Sequence, residues 1–197
     1  MMSNSLLESV VKKNRARLIP FMLALYVLAF LDRSNIGFAK ETYQLDTGLS
    51  NEAYALGAGI FFVVYAFLGV PANLLMRKFG ARKWIGCTTL LWGVLSAAMA
   101  WADSEAKFLL VRTLLGAAEA GFFPGMIYLT SQWFPQQNRA SIMGLFYMGA
   151  PLALTLGSPL SGALLEMHGL MGHPGWFWMF VIEGLLAIAA GAFTFFW

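Results

Sequence analysis

The 197 residues are 59% hydrophobic and 12% charged, with a mean hydropathy of +0.66, whereas an ordinary soluble domain carries about 25% charged residues. Water is therefore not the main solvent of this chain. The net charge of +3 comes from basic residues in short clusters between apolar runs, which excludes a continuous basic face and with it a nucleic-acid partner. A hydrocarbon core about 30 Å thick needs about 20 apolar residues of helix, and the chain supplies that length six times, at 18–40, 53–76, 84–101, 107–131, 140–165 and 176–197. Only helices or closed barrels satisfy their backbone groups in lipid, and these runs are too long and unalternating for barrel strands. The expected fold class is an all-α membrane protein of six transmembrane helices, preceded by a segment at 1–17.

The basic residues orient the spans. With that segment in the cytoplasm, Lys12, Lys13, Arg15, Arg17, Arg77, Lys78, Arg82, Lys83 and Arg139 all lie on the cytoplasmic side, and only Lys40 and Lys107 lie outside. The outer loops carry Glu41, Asp46, Glu52, Asp103 and Glu105 instead. Six spans then return the other end to the cytoplasm. The first apolar run is too long for a signal peptide and contains Asp32 and Arg33, so it reads as a retained helix. The sequence stops at Trp197 inside an apolar run without a basic flank, which reads as a cut. Secondary transporters are commonly built from two related halves with the substrate at the midplane, so six helices are expected to be one half, with a second six-helix half absent.

Ionisable residues inside the spans carry the functional expectation, since a charge at a helix centre costs about 2.5–3.5 kcal/mol on insertion scales. Asp32 and Arg33 are adjacent in the first helix, about 100° apart, and Asn35 lies three residues past Asp32. In the fourth helix Arg112 and Glu119 are two turns apart on one face, with Gly116 between them to admit a helix or ligand, in a stripe continuing to Phe123. Structural ion pairs pinning helix 1 to helix 4 are one reading. The other is a site for an anion and a proton: Arg supplies a permanent planar fork for a carboxylate, and a buried carboxyl group can take up and release a proton.

The strings LDRSNIGFA at 31–39, PANLLMRKFGARKW at 71–84, VRTLLGAAEAGFFPG at 111–125 and GWFWMFVIEG at 175–184 together resemble the anion:cation symporter branch of the major facilitator superfamily. The resemblance covers nearly the whole chain in order. It implies the N-terminal half of a twelve-helix fold in a bacterial inner membrane, taking up a small organic anion, a sugar acid such as L-rhamnonate, together with protons. By resemblance Asp32 and Glu119 match the protonatable acids, and Arg33 and Arg112 match the anion-binding arginines. Asn35, Tyr65 and Tyr147 are candidates for recognising substrate hydroxyls. The turn between helices 2 and 3 departs from the superfamily pattern: Asn73 and Arg77 stand where Gly and a gating Asp are usual, while Lys78, Gly80, Arg82 and Lys83 keep the tight, positive turn.

The remaining features read more simply. Pro124, Pro151 and Pro159 are expected to kink helices 4 and 5. Glu183 in helix 6 reads as a hydrogen-bond partner of a neighbouring helix, His168 and His173 as loop residues, and Cys87 as a buried small apolar residue. No CxxC or His/Cys cluster provides for a metal, and no cofactor is expected beyond the coupling proton. An intramembrane enzyme would need a GxSxG-like serine and a membrane histidine, and neither is visible. A passive facilitator, an anion exchanger or a non-transporting scaffold remain as alternatives to symport.

Overall fold

The computed structural model describes residues 4–196, with side chains from Glu8 onward. Its helices are α1 (Asn4–Thr47), α2 (Asn51–Phe79), α3 (Ala81–Ala98), α4 (Glu105–Glu119), α5 (Phe122–Trp133), α6 (Gln136–Tyr147), α7 (Gly149–Leu165) and α8 (Gly175–Thr194). Paired end to end, α4 with α5 and α6 with α7, they make six spans long and apolar enough to cross a membrane among the described residues. The expected end of the sixth span at Trp197 lies outside those residues, as do residues 1–3 of the expected N-terminal segment.

The first helix differs most from expectation. It is 44 residues long, about 66 Å at 1.5 Å per residue, so it projects beyond a hydrocarbon core about 30 Å thick. Most of the segment expected at 1–17 is thus helical, because its Leu, Lys and Arg residues are good helix formers and nothing in it stops a helix. The fourth and fifth spans are each broken, at Ala120–Gly121 and at Met148. Pro124 and Pro151 lie four residues past Ala120 and Tyr147, and each lacks the N–H that would bond to that carbonyl. At Pro159 α7 runs on unbroken, as α1 and α2 do at Pro20 and Pro71. Cys87 also departs from expectation: it is exposed, on the outward side of α3.

Helix ends follow from local chemistry. The Ser50 hydroxyl accepts from the Ala53 N–H to cap α2. Gly80 alone joins α2 to α3, at a φ of +88° that side chains other than glycine rarely adopt. Lys107 donates to Asp103 at 2.6 Å across the first turn of α4 and holds that exposed carboxyl below its usual range.

The tightest seam is between α3 and α8. A Cβ on Gly93 would sit 2.7 Å from the Ile188 nitrogen and 2.8 Å from the Gly184 carbonyl oxygen, and one on Gly184 would sit 2.6 Å from the Ala97 nitrogen. Small residues let the two backbones touch, and dispersion over that contact replaces the hydrophobic drive that lipid does not supply. By contrast α2 and α7 keep large apolar residues outside, Phe62, Phe67, Val70 and Leu74 on one and Leu152, Leu154 and Leu156 on the other.

The interior has three layers. One apolar cluster gathers Leu25, Ala29, Phe61, Trp92, Leu115 and Ala187. A second gathers Ile36, Tyr54, Met99, Phe108 and Phe180. Between them lie polar residues of four helices, Asp32, Arg33 and Asn35 on α1, Ser96 on α3, Arg112 on α4 and Glu183 on α8, with the Gly57 carbonyl of α2.

Overpacking a closed seam costs about 1–3 kcal/mol or more. Gly184→Leu is therefore expected to lower the melting temperature of the detergent-solubilised protein markedly. Gly37→Ala, at a position with nothing within 4 Å, should leave it unchanged or raise it slightly. A thermal melt of the two variants beside the wild type checks both.

Candidate functional site

The polar layer is built on the buried stripe of α1. Met22, Leu25, Ala29, Asp32, Ile36, Ala39 and Tyr43 recur at three- and four-residue spacing along its inward side, so Asp32 occupies a core position. Arg33, one residue on, turns to the adjoining sector. Its Nε donates to Glu119 Oε2 at 2.8 Å, with the side chains 15% and 0% exposed. This joins the first span to the fourth.

Aromatic rings wall the pair. The Arg33 guanidinium lies 4.6 Å from the Tyr65 ring centroid, 5.7 Å from Phe61 and 5.8 Å from Phe30. Arg112 lies 4.6 Å from Phe61, and its Nε donates to the Gly57 carbonyl at 3.2 Å. Phe61 thus serves both arginines, and each contact at such a site is worth about 0.5–2 kcal/mol. Gly116, between Arg112 and Glu119, makes this possible: a Cβ there would stand 2.5 Å from the Phe61 carbonyl oxygen, so α2 and α4 meet backbone to backbone.

Two expected residues face elsewhere. Asp32 is 4% exposed and is turned toward Ser96 of α3 and Glu119. Asn35 is 2% exposed, and its Nδ2 donates to Glu183 Oε2 of α8 at 2.9 Å. The amide expected on the substrate path is therefore engaged behind it, because three residues of helix carry Asn35 along the Asp32 face into the core. Arg112 is likewise enclosed, at 2% exposure. Asp32 and Arg112 are both buried within the bundle, and Arg33 and Tyr65 are the members that reach a partly open surface. Tyr147 is exposed and leans on Phe123.

Several atoms of the layer have no partner among the described residues: Arg33 Nη2, Glu119 Oε1, Asp32 Oδ2, Ser96 Oγ and Glu183 Oε1. At an effective dielectric near 20, unit charges at the Arg33–Glu119 separation of 2.8 Å attract by about 6 kcal/mol. Stripping two ions of water costs several kcal/mol each, so the pair is close to balance. A second carboxylate, or a proton on Glu119, can tip it.

At the turn, Arg77 lies 5.8 Å from the Tyr128 ring of α5 and Lys78 lies over Phe79. Arg82 donates to the Phe195 carbonyl just past α8, and Asn73 is half-buried with its Oδ1 unpartnered. The turn ties α2 and α3 to α5 and α8 through cations and rings. Sequence reading passed over Phe61, Phe30, Gly57 and Ser96. The spacing Gly57, Phe61, Tyr65 puts all three on one face of α2 and was the signal available for two of them.

The chain is 90% identical over 196 residues to the inner membrane transport protein RhmT of Escherichia coli strain K12, covering 100% of this chain and 46% of that relative. It is 50% identical to a protein of Agrobacterium vitis named "Putative tartrate transporter", covering 98% of this chain and 43% of that one. The chain thus spans less than half the length of the curated relatives it matches. A bacterial homolog of the human lysosomal transporter Spinster, in an inward-facing unoccupied conformation, superposes with a TM-score of 0.85 at 22% identity over 92% of this chain and 42% of that chain, a likeness of fold alone. These relatives are transporters and not enzymes. The Major Facilitator Superfamily model matches residues 22–197, and the chain belongs to that family.

Proposed function

We propose that this chain is the first half of a proton-coupled symporter that takes up a small organic anion, a sugar acid such as L-rhamnonate, across a bacterial inner membrane. The observation that carries the reading is the buried Arg33–Glu119 pair, with an unpaired nitrogen on one side and an unpaired oxygen on the other. A substrate carboxylate reaching Arg33 competes with Glu119 for the same guanidinium. Glu119, losing its cation while fully buried, is then neutralised most cheaply by a proton. Anion and proton enter together by that exchange. Arg112 adds a second positive charge beside Phe61, Asp32 is the second proton-carrying acid, and Tyr65 offers a hydroxyl beside Arg33. Asn35 reaches substrate only if the bundle rearranges to free it from Glu183.

The exposed apolar faces of α2 and α7 suit a second six-helix half as the other wall of the path. The tartrate in one relative's name is itself a hydroxy acid and fits the same chemistry. The nine-to-two division of basic residues favours both ends of this chain in the cytoplasm. Asn73, Arg77, Lys78, Gly80 and Arg82 then form the inner turn, where contacts to α5 and α8 take the place of an Asp-based gate.

Three outcomes test this reading. Vesicles bearing the full-length protein should accumulate substrate only under an inward proton gradient, and Glu119→Gln or Asp32→Asn should abolish that accumulation while exchange persists. Gradient-independent uptake in the wild type would leave a facilitator or exchanger. The 197-residue chain alone in liposomes is expected to give no net uptake. Arg33→Lys and Arg112→Lys should each raise the substrate dissociation constant at least about tenfold, or 1.4 kcal/mol, because an ammonium keeps the charge and loses the fork. Substrate-induced thermal stabilisation should shrink in parallel, and normal binding with a large loss of stability would make the arginines structural struts.

A further inference from the structure

The buried layer contains one acid too many. Among the described residues its ionisable members are Asp32, Arg33, Arg112, Glu119 and Glu183, three carboxyl groups against two guanidinium groups. Arg33 is taken by Glu119. Arg112 donates to the Gly57 carbonyl and lies in the same layer as Asp32 and Glu119. Glu183, 4% exposed, is left with a neutral partner, the Asn35 amide, which shares the buried face of α1 with Asp32 three residues away. No other element supplies a cation. The residues of α7 include no ionisable group, and those of α3, Arg82, Lys83 and Cys87, lie in its first two turns, far along the helix from Ser96. An ionised carboxylate there would be a buried like-charge neighbour of Asp32 with only an amide to solvate it.

We propose that Glu183 is a third proton-binding carboxyl of this layer, linked to Asp32 so that only one of the two is ionised at a time. Three unpartnered oxygens support the assignment independently of the charge count: Glu183 Oε1, Asp32 Oδ2 and the hydroxyl of Ser96, itself 1% exposed and set against Asp32. Asn35 fixes Glu183 Oε2 as an acceptor, which leaves Oε1 as the oxygen that carries the proton. Arg112 then stabilises a charge on Asp32 when Glu183 is neutral. When Asp32 is neutral, the charge of Glu183 is solvated by Asn35 alone. The inference deepens the proposed coupling and rests on it: a change of charge at Glu119 reaches α8 through Asp32, on the seam that holds α3 to α8.

The decisive variant is Glu183→Gln in the full-length protein reconstituted in liposomes. Glutamine keeps the volume and still accepts from Asn35, so it removes only the exchangeable proton. Expected are a displaced pH profile of uptake and a fall of at least about fivefold in gradient-driven accumulation, the low end of a typical coupling between sites, with Glu183→Asp restoring most of both. A profile and accumulation that superpose on the wild type would overturn the proposal and leave Glu183 as a hydrogen-bond acceptor. Should Glu183→Gln fail to insert, infrared difference spectra on acidification decide instead: replacing Glu183 by Asp must displace a protonated-carboxyl band, and unchanged spectra overturn the assignment. A wild type without proton influx would sink the coupling reading separately, while the infrared comparison still reports on Glu183.

Discussion

A buried charge must be matched where no water can reach it, and in this molecule that constraint falls on a single layer between two apolar clusters. Arg33 and Glu119 satisfy it directly, at 2.8 Å, and in doing so fasten the first span to the fourth. The remainder of the layer is arranged around what that pair leaves over. Arg112 is held off to one side by the Gly57 carbonyl and the Phe61 ring. Asp32 is turned back toward α3, and Glu183 is given to an amide. Desolvation offsets much of the attraction in a buried ion pair, so such a set adds little stability over apolar packing. A set that adds little stability and leaves atoms unpaired has the character of a device that changes state.

The packing around the layer keeps that device in register. Where α3 meets α8 and α2 meets α4, small residues bring backbones into contact, so the side chains of the layer are positioned by main chain. The fourth span, which carries Arg112 and Glu119, breaks just after Glu119. The break lies beside the acid whose charge is proposed to change.

The two sides of α1 have distinct tasks. Arg33 and Tyr65 stand at the partly open side, within reach of a ligand. Asp32, Asn35, Ser96 and Glu183 stand behind, between α1, α3 and α8. Adjacent residues of one helix, Asp32 and Arg33, thus address the two sides, Arg33 toward Glu119 and Asp32 toward the core.

The sequence by itself determined the membrane class, the six spans and the ionisable residues of the central layer, because each rests on a local quantity: apolar length, loop charge, or an ionisable group inside an apolar run. The helical spacing of Arg112, Gly116 and Glu119 was equally legible, since it needs only 3.6 residues per turn. Which acid meets which base was not. A period assigns Asp32, Arg33 and Asn35 to sectors of α1, but only the neighbouring helices decide that one sector is the path and another the core. Asn35 was read toward substrate and is held by Glu183, 148 residues away; Phe61, an unremarked apolar residue of α2, proved to be the ring shared by both arginines. Long-range pairing of this kind is fixed by how close two backbones can approach, and that distance exists only in the folded bundle.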